Sequence, residues 1–302
     1  MFASEFQNLA GDVIARTAFG SSYEDGKRIF ELQQEQTKLV LESFHNIYIP
    51  GFKFVPTKKN KRRYSINNEI NAILRDMIYR KEQAMRNEEV GNNDLLGLLL
   101  QCKEQSNNGM TFEDITTANL LTWTMIVLSM HPNWQEKARN EVLHICAKRT
   151  LDLEAINQLK MVSMILYEVL RFYPPLTSLC RHTHQETNIV GLSIPASVDC
   201  VLPILLLHND PKYWGEDVEE FNPERFSEGV LKASKDPIAF YPFDFGASQC
   251  LGQNFALIEA KKALAIILQS FSFKLSPSYT HAPCTVMTLQ PQYGAPIILH
   301  RV

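Results

Sequence analysis

The residues of this 302-residue chain best suited to chemistry are a cysteine and its neighbours. Cys250 lies in Phe-Asp-Phe-Gly-Ala-Ser-Gln-Cys-Leu-Gly, residues 243–252, directly before an apolar run that predicts a helix over 253–273. At the start of a helix, unpaired backbone N–H groups lower the pKa of a thiol and favour the thiolate, which is a metal ligand and a nucleophile. Gly246 and Gly252 lack Cβ atoms and let a flat ligand come close, and Phe243 can pack against it. The alternative is a buried structural thiol.

A second feature is a carboxylate on a helix stripe that is otherwise apolar. Glu168 falls on the face formed by apolar residues that recur at helical spacing, which are Met161, Met164, Ile165, Val169 and Phe172. A carboxylate that faces a core needs a cation, and Arg171 is within helical reach. Arg225, in Pro-Glu-Arg-Phe, can complete a network of three. The alternative is an exposed ion pair between Glu168 and Arg171.

Apolar periodicity predicts a mainly α fold with a small β region. The predicted helices cover residues 6–19, 26–44, 66–87, 111–130, 132–146, 157–173 and 253–273. The sixth of these must end before Pro174-Pro175, because proline lacks an N–H and restricts the residue before it. One hairpin is predicted within 188–207, and another pairs 285–289 with 296–300. The long Pro-rich stretch 209–249 is predicted to be an irregular and functional loop.

Composition excludes several classes of protein. The net charge of −3 creates no field that favours nucleic acid or an anionic membrane as the main partner. The six cysteines lie far apart, without the spacing of a zinc site, and favour a reduced, cytosol-facing chain. No apolar run approaches the roughly 18 residues of a membrane span. The basic run Lys58 to Arg63 is interpreted as a solvated loop, with contact to nucleic acid or anionic headgroups as the alternative.

The order of these features along the chain resembles the cytochrome P450 family. Glu-x-x-Arg lies on a helix that ends at Pro-Pro, and a hairpin, Pro-Glu-Arg-Phe and Phe-x-x-Gly-x-x-x-Cys-x-Gly follow. Residues 19–26, 253–256 and 287–294 resemble the plant group that includes secologanin synthase, and the resemblance covers essentially the whole chain. It implies one cytochrome P450 domain over 1–302, incomplete at the N-terminus. Its helical part is 1–156, and 157–302 carries the Glu-x-x-Arg helix, the hairpins and the haem-binding loop.

The resemblance assigns a cofactor site around the cysteine. It implies that the Cys250 thiolate is the iron ligand of haem b, with Phe243, Gly246 and Gly252 beside the porphyrin. Arg181 matches the position that contacts a haem propionate, for which a guanidinium fork is suited. An ordinary surface arginine is the alternative for Arg181.

The resemblance also assigns residues away from the iron. Glu168, Arg171 and Arg225 hold the irregular segment that surrounds the cysteine. Thr116, with Thr117 beside it, matches the distal threonine that helps deliver protons to bound dioxygen. The alternative for Thr116 is an ordinary threonine on a helix face.

The implied activity is a monooxygenase that inserts one atom of O₂ into an apolar, terpenoid-like plant metabolite. Electrons would come from NADPH–cytochrome P450 reductase, and no role with nucleic acid is expected. The substrate is expected near residues 176–179 and 287–289. Intact relatives are expected at the cytosolic face of the endoplasmic reticulum membrane. This chain, which lacks the anchor, is expected in the cytosol with peripheral membrane contact.

Three departures from the family pattern favour an alternative reading. About three helical turns before Thr116 are absent, a loss of roughly 20 Å at ~1.5 Å per residue. Ser248 replaces a basic residue and Asp244 a small one, and both changes reduce positive charge beside an anionic cofactor. The chain also begins well inside the family pattern. The alternative is a catalytically inactive fragment or pseudogene product that binds haem weakly or not at all.

Overall fold

The structure is a computed structural model. It describes residues 57–86, 113–146, 152–286 and 288–302, together with seven residues between 28 and 39, which are 28, 31, 32, 35, 36, 38 and 39. Two compact units divide the chain, one formed by Met1–Ser4 with Thr116–Val302 and the other by Glu5–Ile115. The helix predicted over 6–19 lies outside the described residues. The assignment of one domain over 1–302 stays a prediction.

In the unit Glu5–Ile115, the main described element is helix α1, Lys58–Arg86. The interpretation of Lys58 to Arg63 as a loop is wrong, because this basic run forms the first turns of α1. The Thr57 hydroxyl accepts a hydrogen bond from the Asn60 N–H at 3.1 Å and caps the helix ahead of the run. Lysine and arginine are good helix formers, so the run continues from this cap. The described residues between 28 and 39 are helical, as predicted, and Leu32 packs with Ile66 and Ile70.

Seven further helices belong wholly or mainly to the unit Thr116–Val302. They are α2 Glu113–Met130, α3 Pro132–Cys146, α4 Leu153–Gln158, α5 Lys160–Phe172, α6 Ile204–His208, α7 Pro211–Trp214 and α8 Gln253–Ser270. The single helix predicted over 157–173 is in fact two helices, divided at Leu159. The Asp152 side chain caps the start of α4 at the Ala155 N–H, and the Glu141 carboxylate accepts the Met161 and Val162 N–H groups at the start of α5. Helix α5 ends before Pro174-Pro175, as predicted. Helix α8 ends three residues earlier than predicted, where a strand begins at Phe271.

Helix α2 lies at the core of this unit. Its residues from 117 to 128 are all buried, as expected for a helix that is apolar all round. The buried hydroxyls of Thr122 and Thr124 donate to the carbonyls of the residues four positions earlier, at 2.8 and 2.7 Å. Trp123 Nε1 donates to the Leu289 carbonyl at 3.0 Å and fixes a strand against the helix. These buried polar groups are therefore all hydrogen-bonded, as burial requires.

Eight described strands form four two-stranded antiparallel ribbons. The pairs are β1 Leu179–His182 with β4 Asp199–Leu202, β2 Thr187–Ile189 with β3 Leu192–Ile194, β5 Phe271–Leu275 with β8 Ile297–Arg301, and β6 Pro283–Val286 with β7 Thr288–Pro291. The hairpin predicted within 188–207 is present as β2–β3 and part of β1–β4, but residues 204–208 are helix α6. The prediction that 285–289 pairs with 296–300 is wrong. The first segment belongs to two strands that pair with each other, and β8 pairs with β5.

The stretch 209–249 contains only short elements, in line with the predicted irregular loop. Besides α7 it has 3₁₀ turns at Pro223–Phe226, Val230–Lys232, Pro237–Ala239 and Gly246–Ser248. In the described part of the chain, no helix combines the length and the apolar character needed to cross a bilayer. The mainly α fold with a small β region is confirmed.

Candidate functional site

The loop 241–252 sets the cysteine at the mouth of a helix. Cys250 is half-buried and precedes by three residues the first residue of α8. Its backbone N–H donates to the Phe243 carbonyl at 2.9 Å, and the Gln253 N–H donates to the Cys250 carbonyl at 3.4 Å. A backbone hydrogen bond thus closes the loop between Phe243 and Cys250. The thiol lies where the positive end of the α8 dipole favours the thiolate.

Two residues of this loop have the left-handed backbone conformation. Gly246 has φ +73°, and a Cβ atom at this position would meet open space, so backbone conformation is the reason for glycine here. Asp244 has φ +65°, which aspartate tolerates better than most residues. Its carboxylate accepts a hydrogen bond from the Phe245 N–H at 2.7 Å, which supports the turn. Gly252 is buried, with an ordinary φ of −84°.

Arg181 contacts the cysteine loop from the neighbouring ribbon. It lies on β1, opposite Cys200 of β4, and its Nη2 donates to the Asp244 carboxylate. The Arg181 side chain is 40% exposed and that of Asp244 is 16% exposed. The residue predicted to contact a propionate therefore does face the loop. Its guanidinium is engaged by a carboxylate of the same chain, a pairing that sequence reasoning did not find.

Glu168 and Arg171 form a fully buried ion pair on α5. Arg171 donates from Nε and Nη2 to the two carboxylate oxygens of Glu168, at 2.9 and 2.8 Å. Both side chains are 0% exposed. The Asn222 N–H also donates to Glu168, at 3.0 Å. A buried carboxylate is thus matched by a bidentate cation and a backbone donor, as burial of charge requires.

Arg225 joins this network at longer range. Its Nε lies 3.5 Å from Glu168, whereas its Nη2 lies 2.7 Å from an oxygen of Asp217. Its Nη1 donates to the Trp214 carbonyl at 3.1 Å. The structure brings Glu168, Arg171 and Arg225 together and adds Asp217 to them. Hydrogen bonds from Arg225 lower the pKa of the Asp217 carboxyl. Sequence spacing alone gives no sign of Asp217.

His208, which sequence reasoning missed, is also buried beside Arg171. Its backbone carbonyl accepts a hydrogen bond from Arg171 Nη1 at 3.0 Å, and its side chain is 0% exposed. A lone histidine without ligand spacing carries no signal in a sequence. Only the packing of α6 against α5 shows where it lies.

Thr116 lies in the first turn of α2. It is half-buried, and Thr117 beside it is 2% exposed. Farther along α2, Asn119 Nδ2 donates to the Thr288 hydroxyl at 2.8 Å, and the Leu289 N–H donates to the Pro175 carbonyl at 2.8 Å. The two segments expected near a substrate, after Pro175 and at 288–289, are therefore linked to each other and to α2. Met287 lies outside the described residues.

A cavity of about 180 Å³ lies on one side of the cysteine loop. Its walls include Tyr167 of α5, Phe240, Phe243 and Gln253. This volume is below the roughly 300 Å³ of typical small-molecule pockets.

Comparison with known proteins decides the family. The sequence pattern of the cytochrome P450 family matches residues 2–294. The chain belongs to the cytochrome P450 family. Among solved cytochrome P450 structures, the haem domain of cytochrome P450DA superposes with a TM-score of 0.81 at 22% identity and covers 100% of this chain and 68% of that one.

Plant cytochromes P450 are similar in sequence over nearly the whole chain. Cytochrome P450 CYP72A616 of Paris polyphylla is 51% identical over 99% of this chain and 61% of the relative. The 7-deoxyloganic acid hydroxylase of Catharanthus roseus is 47% identical over 99% and 62%, and cytochrome P450 72A15 of Arabidopsis thaliana is 46% identical over 98% and 60%. The chain therefore spans about three fifths of the length of these relatives. The alignment with the Paris polyphylla relative extends over 318 positions, 16 more than the 302 residues of this chain, so it contains gaps in this chain.

The chemistry of the donor set fits the haem that cytochromes P450 hold. Cys250 offers one sulfur at the start of α8, and a single Cys thiolate is one of the ways in which proteins hold a haem iron. Arg181, the matching cation, contacts the same loop through Asp244. In this loop Ser248 is exposed and offers no charge.

Proposed function

We propose that the chain binds haem b with the Cys250 thiolate as the iron ligand. The observation that carries this proposal is the position of Cys250, half-buried at the mouth of α8 with its N–H held by the Phe243 carbonyl. A position before the first turn of a helix favours the thiolate through the helix dipole, and iron ligation requires the thiolate. Phe243, Gly246 and Gly252 line the porphyrin side of the loop. Arg181 is the partner for a propionate.

The Glu168 network holds the segment that precedes the loop. Glu168 and Arg171 on α5 bind backbone groups of His208 and Asn222, and Arg225 binds the Trp214 carbonyl. The first two contacts join α5 to two separate points of the stretch 208–225, and the third lies within that stretch. The turns of this stretch have backbone hydrogen bonds of their own, and the buried charges hold those turns against α5. Their role is structural.

The reaction that this site supports is monooxygenation of an apolar plant metabolite by O₂. A thiolate-bound iron supplies the electron donation that favours O–O cleavage. NADPH–cytochrome P450 reductase is the proposed electron donor, and Thr116 the residue that helps deliver protons to dioxygen. A relative named 7-deoxyloganic acid hydroxylase, 47% identical, supports hydroxylation of a terpenoid-like compound.

The substrate is proposed to touch residues 176–179 and 287–289. The hydrogen bond between the Leu289 N–H and the Pro175 carbonyl sets these two segments side by side. The proposed location of the intact protein is the cytosolic face of the endoplasmic reticulum membrane, with peripheral membrane contact for this chain.

Turnover with labelled dioxygen tests the activity. The purified chain, loaded with haem, is incubated with reductase, NADPH and a panel of apolar terpenoids. One labelled oxygen atom in a product supports the monooxygenase. Thr116→Ala is expected to lower product formed per NADPH consumed, whereas Thr122→Ala, whose hydroxyl is satisfied by the Ala118 carbonyl, serves as the matched control on the same helix. Equal product yields in both variants would remove Thr116 from the proposal.

A second candidate function is a chain that binds haem weakly and does not turn over. The observation that favours it is the Arg181–Asp244 ion pair, because a carboxylate of the protein holds the cation proposed for the propionate. Weak haem binding without labelled product would support this candidate over the monooxygenase.

A further inference from the structure

His208 lies between the buried ion pair of α5 and the cysteine loop, and it contacts both. Its backbone carbonyl accepts a hydrogen bond from Arg171 Nη1 at 3.0 Å. Its Nε2 accepts a hydrogen bond from the backbone N–H of Tyr241 at 3.2 Å. Tyr241 begins the turn that leads into the cysteine loop. The histidine therefore bonds to a regular helix through one atom and to an irregular segment through another.

From Tyr241 the hydrogen bonds continue to the cysteine. The Asp244 N–H donates to the Tyr241 carbonyl at 3.2 Å and closes a turn, and the Cys250 N–H donates to the Phe243 carbonyl at 2.9 Å. Phe243 thus lies inside the turn whose first residue is fixed by His208. Two hydrogen bonds therefore connect the Tyr241 turn to the Cys250 backbone.

Aromatic packing fixes the orientation of the imidazole. The ring stacks on Phe240 with centroids 5.3 Å apart and 25° between planes, and it meets Trp214 and Tyr241 edge-on at 6.3 and 5.8 Å. The side chain is 0% exposed. An imidazole held in this way keeps its Nε2 lone pair aimed at one backbone N–H.

The protonation state also suits an acceptor. Burial, and then the charge of Arg171, lower the pKa of His208 to about 3, so the ring is neutral near pH 7. A neutral imidazole that accepts at Nε2 carries its proton on Nδ1. Nδ1 has no hydrogen-bond partner among the described residues. Backbone groups of Arg171 and Leu170 also face the ring and favour its protonated form, but their effect is smaller than that of burial. The Tyr241 N–H is the donor that the ring accepts from in the cysteine loop.

We propose that His208 is a positioning residue for Cys250. It connects the buried ion pair of α5 to the cysteine loop through its hydrogen bond with the Tyr241 N–H and so holds the loop in place. The consequence for haem ligation rests on the function proposed above. The consequence for the order of the loop does not, because it concerns the chain without haem. The rival role for His208 is filling of space among Phe240 and Trp214.

Two substitutions separate the acceptor from the packing. His208→Phe keeps an aromatic ring of similar shape and removes the acceptor. His208→Gln loses the ring but places an amide oxygen close to the position of Nε2, so it can accept from Tyr241. The first readout is the hydrogen exchange of individual amides in the haem-free chain, for Tyr241, for Cys250 and, as a control, for Phe273, whose N–H is held by Gln135.

The proposal predicts faster exchange of both loop amides in His208→Phe and recovery in His208→Gln. A factor of about five or more is expected for Tyr241 and Cys250, which corresponds to the loss of one buried hydrogen bond, with Phe273 unchanged. Unchanged exchange of Cys250 would overturn the proposal, because the effect would end at Tyr241. Faster exchange of Phe273 as well, or failure of His208→Phe to fold, would also overturn it, since His208 would then serve the whole core. The same holds if His208→Gln does not recover.

The second readout is the carbonyl spectrum of the reduced, haem-loaded chain. The share of haem with the thiolate-type spectrum is expected to fall at least twofold in His208→Phe and to return in His208→Gln. An unchanged share would overturn the link to ligation. If the unsubstituted chain gives no thiolate-type spectrum, the proposed function fails, and the exchange measurement still judges whether His208 orders the loop.

Discussion

At the scale of single residues, the chemistry of the site depends on which charges meet. The sequence identifies Cys250 and the Glu168–Arg171–Arg225 set from patterns with a physical meaning, and Arg181 from the resemblance to the cytochrome P450 family. It does not show that Asp244 engages Arg181, since the two residues are 63 positions apart. Nor does it show Asp217 beside Arg225. Pairings between distant segments depend on the fold, whereas pairings along one helix follow from its period.

Asp244→Asn is expected to strengthen haem binding. Asparagine tolerates the left-handed backbone at residue 244 and cannot hold the Arg181 cation by charge, so Arg181 becomes available to a propionate. Because the pair is partly exposed, the effect corresponds to about 0.5–1 kcal/mol, or roughly two- to fivefold in the dissociation constant. Titration of the haem-free chain with haem measures it.

Asp199→Asn is the matched control for this change. Asp199 also lies on the ribbon, where it pairs with His182 at 2.7 Å and is 78% exposed. An equal gain in Asp199→Asn would assign the effect to overall charge. Weaker haem binding in Asp244→Asn would contradict the role given to the Arg181–Asp244 pair.

Arg171→Met is expected to destabilise the chain strongly. The Glu168 carboxylate would stay 0% exposed without its bidentate cation, which typically costs about 3–5 kcal/mol in the free energy of unfolding. The double variant, which also carries Glu168→Met, removes both charges. Its free energy of unfolding is expected to fall by less than the sum of the decreases in the two single variants. Urea unfolding of the haem-free variants measures the three values.

Lys137→Met provides the comparison for an exposed pair. Lys137 lies 3.4 Å from Glu224 with both side chains about half exposed or more, so its loss is expected to cost at most ~1 kcal/mol. Additive losses at Glu168 and Arg171 would contradict the coupling between them.

At the scale of elements, helix positions follow from sequence and strand pairings do not. The helices 132–146 and 113–130 agree with the predicted positions within two residues, because apolar periodicity and proline mark their limits. The pairing of 285–289 with 296–300 is wrong because alternation predicts a strand without naming its partner. Gln135 of α3 contributes to the position of β5. Its side chain binds both the N–H and the carbonyl of Phe273 on β5.

Helix α8, which begins at the cysteine loop, gives a pH prediction. Burial raises the pKa of Glu259 to about 7, and its Oε2 has no hydrogen-bond partner among the described residues. The folded chain keeps this proton between pH 7 and 4.5, where the unfolded chain has released it. The stability of the folded chain is therefore expected to fall as pH rises from about 4.5 to about 7. Glu259→Gln removes this dependence.

The measurement is urea unfolding at pH 5 and pH 8. Glu259→Gln is expected to gain more stability over the unsubstituted chain at pH 8 than at pH 5, while Glu228→Gln, at a carboxylate that is 71% exposed, changes little at either pH. An equal gain at both values would show that the Glu259 carboxyl does not titrate in this range.

At the scale of the whole molecule, the family follows from the order of motifs rather than from any one of them. Cys250 alone or Glu-x-x-Arg alone is explained equally well by an ordinary structural role. Only the order of these motifs along the chain favours the haem-thiolate interpretation. The family match over residues 2–294 agrees with that interpretation, and the TM-score of 0.81 agrees with the predicted fold. The chain covers about three fifths of the length of its relatives.

The carbonyl spectrum of the reduced, haem-loaded chain tests the central claim most directly. The unsubstituted protein is compared with Cys250→Ser and with Cys284→Ser, a change at another half-buried cysteine in the same unit. Ligation by Cys250 predicts a thiolate-type spectrum that disappears in Cys250→Ser and stays in Cys284→Ser. A thiolate-type spectrum that persists in Cys250→Ser would contradict it.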